Sequence, residues 1–256
     1  MAGRNNSLDR SPMEEHVIFY VDLLGFKNAV RSPSSERSEL LTELLRDMSS
    51  LRGDFDLQKE VMENGARFTM RAAVTTFSDH IAISCPTKDL ELEGGAGLIS
   101  ALSLAERLIS IFAVRAINLG FLIRGAATVG RLFHKEGVVW GEALVDAFEL
   151  ESKVANYPRI VVSRKLYSRV DAGSANLFLV KDADGITHFN YVRSMIFRSG
   201  QHGEQLAEWL ATVRGIANTN IDNFELSERW NEYSKWVWFR NMLDHSRAAL
   251  PDALFQ

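Results

Sequence analysis

Phe19-Tyr20-Val21-Asp22-Leu23-Leu24-Gly25-Phe26-Lys27 closes an apolar run that begins at His16, stops it on an aspartate and turns at once. The run is apolar without alternation, which predicts a strand buried on both faces. A carboxylate at the end of such a strand is costly unless it holds something. A second stretch repeats the pattern: Thr75-Thr76-Phe77-Ser78-Asp79-His80-Ile81-Ala82-Ile83-Ser84. Its strand turns at Ser78-Asp79 and returns through His80–Cys85, an antiparallel hairpin. Two such strands side by side bring both carboxylates to one spot, as a divalent metal with a polyphosphate requires. Either aspartate taken alone can equally cap a turn or a helix. Gly25 lets the backbone turn tightly, so that its N–H groups can face phosphate oxygens near a helix start, and Lys27 can add a positive charge.

Composition narrows the function classes. The chain has 256 residues, 46% hydrophobic and 24% charged, enough for one large domain or a domain with an extension. A net charge of −4 and the lack of a long basic run argue against a stable nucleic-acid complex. The single cysteine, Cys85, excludes an intramolecular disulfide framework and a cysteine zinc cage; it is expected to be a small buried hydrophobe. Met1 to Arg10 is polar, and no apolar run approaches the ~20 residues of a membrane helix. The expectation is a cytoplasmic protein with no membrane association.

Residues 1–13 are rich in Ser, Asn, Arg and Pro and are expected to form a disordered tail. Ser32-Pro33-Ser34-Ser35 precedes Leu40, Leu41, Leu44, Leu45 and Met48 at helical spacing, a capped amphipathic helix. Residues 52–65 are expected to be a loop or weak strand leading into a strand over Arg67–Ser78. Gly94-Gly95 opens a long helix that stops at Asn118-Leu119-Gly120. A strand over Phe121–Val129 is then predicted to break at Gly130–Gly137, followed by short Val138–Trp140, a helix over Glu142–Val154 and a strand over Arg159–Ser163. The order β-α-β-β-α-β-α-β implies an antiparallel-rich α+β core of the ferredoxin-like kind over 14–170. Beyond Val170, Asn176–Val180 and Thr187–Val192 flank the hairpin turn Asp182-Ala183-Asp184-Gly185, and helices are expected over Leu206–Ala217 and Leu226–Leu243. Residues 171–256 are therefore assigned to a C-terminal extension packed on the core.

Four phrases in this order resemble the class III nucleotidyl cyclases over about residues 14–165. Phe19–Lys27 is similar to their metal-binding strand, F-x-D-[IL]-x-G-F-[TS]. Phe77-Ser78-Asp79 stands where they carry a second metal aspartate in I-G-D. Ile123-Arg124-Gly125-Ala126-Ala127-Thr128-Val129-Gly130 resembles R-x-G-[IL]-x-x-G. Val139-Trp140-Gly141-Glu142-Ala143-Leu144, continuing to Leu150-Glu151-Ser152, resembles W-G-[DN]-x-V-N-x-A-x-R-L-E. The resemblance implies that Asp22 and Asp79 hold two divalent cations, Mg²⁺ or Mn²⁺, with the Leu23 carbonyl as a further ligand. It implies that the backbone of Leu24, Gly25, Phe26 and Lys27 cradles the β and γ phosphates. Attack of the ribose 3′-oxygen on the α-phosphorus, with pyrophosphate leaving, closes a 3′,5′-cyclic nucleotide.

The departures from the family concern the base. Thr75 replaces the purine-reading lysine four residues before the second aspartate, and Val138 replaces the second base reader. A site without that polar pair should not favour purines. Val145 and Glu149 occupy the places of the family's Asn and Arg, leaving Arg71 and Arg124 as candidates to supply transition-state charge, and Tyr20 is assigned to face the base. Asp-Leu-Leu-Gly-Phe, Phe-Ser-Asp, Ile-Arg-Gly-Ala and Leu150-Glu151-Ser152 followed by Ala155–Ile160 resemble the bacterial Pycsar pyrimidine cyclases. That branch implies conversion of UTP to cyclic UMP, or of CTP to cyclic CMP, as a second messenger in antiphage defence that acts on a separate effector. It also implies a homodimer with shared active sites. The alternatives are a purine cyclase with unfamiliar base readers and a catalytically inactive nucleotide-binding sensor. Elsewhere, His80 is expected to hydrogen-bond locally, His134 and Glu136 to lie in a loop without metal spacing, Tyr157-Pro158 to turn into the next strand, and Trp230–Phe239 to pack in the core or a dimer.

Overall fold

A computed structural model describes residues 13–31, 35–50, 53–61, 66–90, 96–199 and 201–251. The expected tail, Met13 apart, and the expected Ser32-Pro33-Ser34 cap and Gly94-Gly95 helix start lie outside those residues. Strand β1 (Glu14–Leu24) leads into a short helix α1 (Phe26–Arg31) and then α2 (Ser35–Ser50). Strands β2 (Gly53–Val61), β3 (Ala66–Phe77) and β4 (His80–Pro86) follow, then the long helix α3 (Ala96–Asn118). Strands β5 (Leu122–Lys135) and β6 (Val138–Trp140), helix α4 (Glu142–Val154) and strand β7 (Ile160–Val162) complete the first two thirds. The remainder is α5 (Arg164–Tyr167), α6 (Ala172–Phe178), β8 (Leu179–Lys181), β9 (Thr187–Phe189), α7 (Tyr191–Phe197), α8 (Gly203–Leu226) and α9 (Trp230–Ala248).

The result is α+β around a mixed sheet ordered β2-β3-β4-β1-β5-β7-β9-β8, with β6 paired to β5. Every pairing is antiparallel except β5 with β7. The continuous apolar run of β1 is explained by its central place. Val17, Phe19, Val21 and Leu23 enter the main core with α2, α3 and α7 to α9. Ile18 and Tyr20, on the opposite face, pack with Leu132 and with Ala143 and Ala147 of α4. No helix among the described residues is long and apolar enough to cross a membrane.

Several expected boundaries move, each for a local reason. Of the loop or weak strand expected over residues 52–65, residues 53–61 form the strand, paired along its whole length with β3. Strand β5 does not break at Gly130: a Cβ there would lie 3.2 Å from that of Ala143, so this glycine lets α4 approach. The chain turns instead at Glu136-Gly137, both at positive φ. Asn176 to Phe178 end a helix, and Tyr191-Val192 begin one because the Asn190 side chain accepts from the Arg193 N–H as its N-cap. Leu226 ends α8 rather than starting the last helix, and the chain reverses through Glu228 at positive φ.

The C-terminal helices are held at the end of the sheet where β1 stops. Arg159, 1% exposed, pairs with Asp182 at 2.8 Å and Asp184 at 2.6 Å in the β8–β9 turn. Trp238 of α9 donates to the same Asp182 at 2.8 Å and stacks on Tyr157. The expected turn at Asp182–Gly185 is thus also an anchor, linking β7, the hairpin and α9.

Candidate metal and nucleotide site

Register, not sequence proximity, assembles the site. Asp22 pairs with His80 of β4 on one side and with Arg124 of β5 on the other, so the three lie in one row across the sheet. Opposed residues in such a row have Cβ atoms about 5 Å apart. Asp79 joins from the β3–β4 turn, where Ser78 takes a positive φ and the Leu23 N–H donates to the Asp79 carbonyl at 3.2 Å. Ligand atoms of Asp22, Asp79 and His80 lie within 4.8 Å of one another.

The electrostatics are uneven. Asp22 is 7% exposed, and its Oδ1 is buried and accepts no hydrogen bond. Burial is the main cause that lifts its carboxyl to about 6, with the neighbouring Asp79 adding to the rise against the opposing pull of His80 and Arg124. Asp79 is also raised by burial, but the His80 hydrogen bond and charge outweigh this and hold it at about 2. His80 is lowered by burial yet raised overall by Asp79, at 3.1 Å from Nδ1, and by Asp22, at 3.6 Å from Nε2. Arg124 donates from Nε to Asp22 Oδ2 at 3.2 Å and pairs with the buried Glu151 at 2.8 Å. A buried, unsatisfied carboxylate oxygen beside a second carboxylate and an imidazole fits a divalent cation. Hard carboxylate oxygens suit Mg²⁺ or Mn²⁺, and the imidazole tolerates the latter better.

Tyr20, Ala82 and Thr75 share the row one pleat below. The Tyr20 ring lies 6.1 Å from Phe77, 5.1 Å from His80 and 6.1 Å from Phe148. Thr75 is buried, its hydroxyl hydrogen-bonded to Nε2 of His134 at 2.9 Å; Nδ1 of the same ring meets Ser84 at 2.8 Å. His134 therefore belongs to a buried strand network with His16 and Ser84, not to a loop. Val138 is exposed on β6, and Val145 and Glu149 are exposed on α4. Leu23 is buried; Leu24 and Phe26 are half-buried; Gly25 has a φ of 92°, and Lys27 is exposed. Arg71 is exposed on β3, four residues before Thr75 and about 13 Å away along the strand.

Two residues carry more of the site than their sequence context suggested. His80 makes the expected local contact to Asp79 but also reaches Asp22 across the sheet. Glu151 had no role, yet it holds Arg124; its position inside Leu150-Glu151-Ser152 was the available signal. Because Asp22 titrates near 6, protons compete with any cation there, and affinity should rise with pH through that value. Mn²⁺ titrations followed by electron paramagnetic resonance are expected to weaken by up to ~10-fold between about pH 7 and pH 5 for one displaced proton. A flat profile would mean that Asp22 is not a ligand.

Neither a protein-family model nor a curated protein sequence matches this chain.

Proposed function

We propose that the chain is a pyrimidine nucleotidyl cyclase of the class III kind, converting UTP to 3′,5′-cyclic UMP and pyrophosphate. The observation that carries this reading is the convergence of Asp22 and Asp79 with His80 at the end of the central strand. The central antiparallel order β3-β4-β1-β5 supports a ferredoxin-like core, the frame such a site needs. Two divalent ions held by Asp22 and Asp79 would activate the ribose 3′-hydroxyl and neutralise the triphosphate. Tyr20, Thr75 and Val138 would frame the base, and Arg124, already on Asp22, could turn its charge to the reacting phosphate. A homodimer completes the proposal. Phe77, Val138, Trp140, Val145 and Phe148 are large exposed apolar side chains, and two of them touch the Tyr20 ring beside the site. A second copy covering them would shield the reaction from water and share the site. In a cell the cyclic product would act on a separate effector as an antiphage signal.

The test is incubation with Mn²⁺ and each labelled nucleoside triphosphate in turn, with products resolved by chromatography. Cyclic UMP is expected as the main product. Cyclic CMP would keep the pyrimidine reading and change the base; product chiefly from ATP or GTP would overturn it. Tight binding without turnover by the dimer would make the protein a sensor.

A further inference from the structure

Lys27 and Arg31 follow the end of β1, whereas Arg229 caps the start of α9 and Lys235 lies in its first turns, about 200 residues later in the chain. All four line one cavity of about 720 Å³, within the ~300–1,000 Å³ that small-molecule sites occupy. Leu24, Gly25 and Leu122 form its sheet side, and α8 with α9 form the opposite wall. Against these four cations the lining carries one carboxylate, Glu232, which already pairs with Arg229. Lys27, Arg31 and Lys235 form no ion pair among the described residues.

Lys235 is half-buried, and burial together with the nearby Arg124 guanidinium keeps its ammonium below the usual lysine range. Like charges gathered in a part-desolvated cavity repel one another, and the arrangement becomes favourable only when a multiply charged anion enters. The cavity lies beside the metal site, although Asp22, Asp79 and His80 are not among its lining residues. Leu24 and Leu122 pair across the sheet two residues beyond the Asp22–Arg124 pair, about 7 Å along the strands. A chain of phosphates lying in the cavity would thus have its inner end about 7 Å from the Asp22 row.

We infer that this cavity receives the polyphosphate tail of the nucleotide and that Lys235 and Arg229 of the C-terminal helical pair are phosphate ligands, with Lys27 and Arg31 opposite them. The inference rests on the nucleotide reading above and deepens it. The last two helices become part of the site, and they make the protein select a triphosphate over a monophosphate.

The test is calorimetric titration of the whole 256-residue chain, metal-free, with inorganic tripolyphosphate. Lys235→Gln and Arg229→Gln are each expected to weaken binding about 10-fold, the scale of one charge-assisted contact. Lys153→Gln, on the outer face of α4, should leave it unchanged. Lys235→Gln removes a half-buried charge that burial and Arg124 disfavour more than Glu232 favours it, so its unfolding midpoint should not fall, which separates lost binding from lost fold. Wild-type protein that ignores tripolyphosphate, or variants that bind it as tightly as wild type, would overturn the inference. Charge-dependent tripolyphosphate binding without cyclisation of any nucleotide keeps the cavity assignment and sinks the cyclase reading. Cyclisation with KM and kcat untouched in both variants does the reverse.

Discussion

Asp22→Asn is expected to abolish divalent-dependent turnover while leaving the fold intact or slightly more stable. The substitution keeps the shape of the side chain and removes the charge that a cation needs. Losing about 4 kcal/mol of metal-derived stabilisation corresponds to a rate loss of ~10³-fold. The stability half follows from titration. The folded protein holds the Asp22 carboxyl at about 6, well above the usual carboxylate range, so the fold favours its protonated form. Its contribution to stability is complete below about pH 4 and is lost as pH rises through about 6. At neutral pH the ionised group therefore costs stability, and asparagine removes that cost. Arg124 keeps Glu151 as a partner, so no new unpaired cation is left behind. Thermal unfolding at pH 7 reads the stability, and the labelled-nucleotide assay reads the activity. Full activity in Asp22→Asn would exclude this carboxylate from the chemistry. A large fall in the unfolding midpoint would instead give Asp22 a structural role.

Gly125→Val should be the most destructive single change in the sheet. A Cβ at Gly125 would lie 2.3 Å from the Tyr20 carbonyl oxygen and 3.0 Å from the Val21 Cα, both backbone atoms of β1. Gly125 also donates its N–H to the Arg159 carbonyl at 3.0 Å on the β7 side, so β5 has no free direction in which to move. Overpacking against backbone costs about 3 kcal/mol or more, a drop of roughly 6–12 °C in unfolding midpoint for a chain of this size. The strands forced apart are those that hold Asp22 against Arg124, so Mn²⁺ affinity should fall as well. Gly215→Ala is the control. It lies within α8 with nothing within 4 Å of its added Cβ, and a helical glycine replaced by alanine should gain up to ~1 kcal/mol. Equal midpoints for the two variants would show that β1 and β5 can separate without penalty.

The central strand and the two aspartates were legible because they use local signals. An unalternating apolar run means burial on both faces, and a hairpin turn means that Asp79 returns to its neighbour. The span of helix α4 was legible to the residue because Gly141 marks its start, but its large apolar residues did not mark its inner face: Ala143, Ala147 and Glu151 are buried while Val145 and Phe148 are exposed. Gly130 misled for the opposite reason. A strand glycine can mark a break or a close approach, and only the position of Ala143 decides between them. His134 followed from the same error, because a residue expected in a broken loop sits instead on a continuous strand.

By itself the sequence determined the α+β class, the order of elements over most of the chain and the two carboxylates that end buried strands. These follow from periodicity and turn chemistry, which act over a few residues. The tertiary structure alone decided that His80 and Arg124 flank Asp22, that Glu151 holds Arg124, and that Lys27 and Lys235 face one cavity. Each of those pairings joins residues far apart in the chain, and strand register and helix docking bring them together through the summed burial of many side chains. That sum has no local signature. The glycine of Arg124-Gly125 stands at the boundary: its motif is visible in the sequence, and its reason is the carbonyl of Tyr20 on the strand beside it.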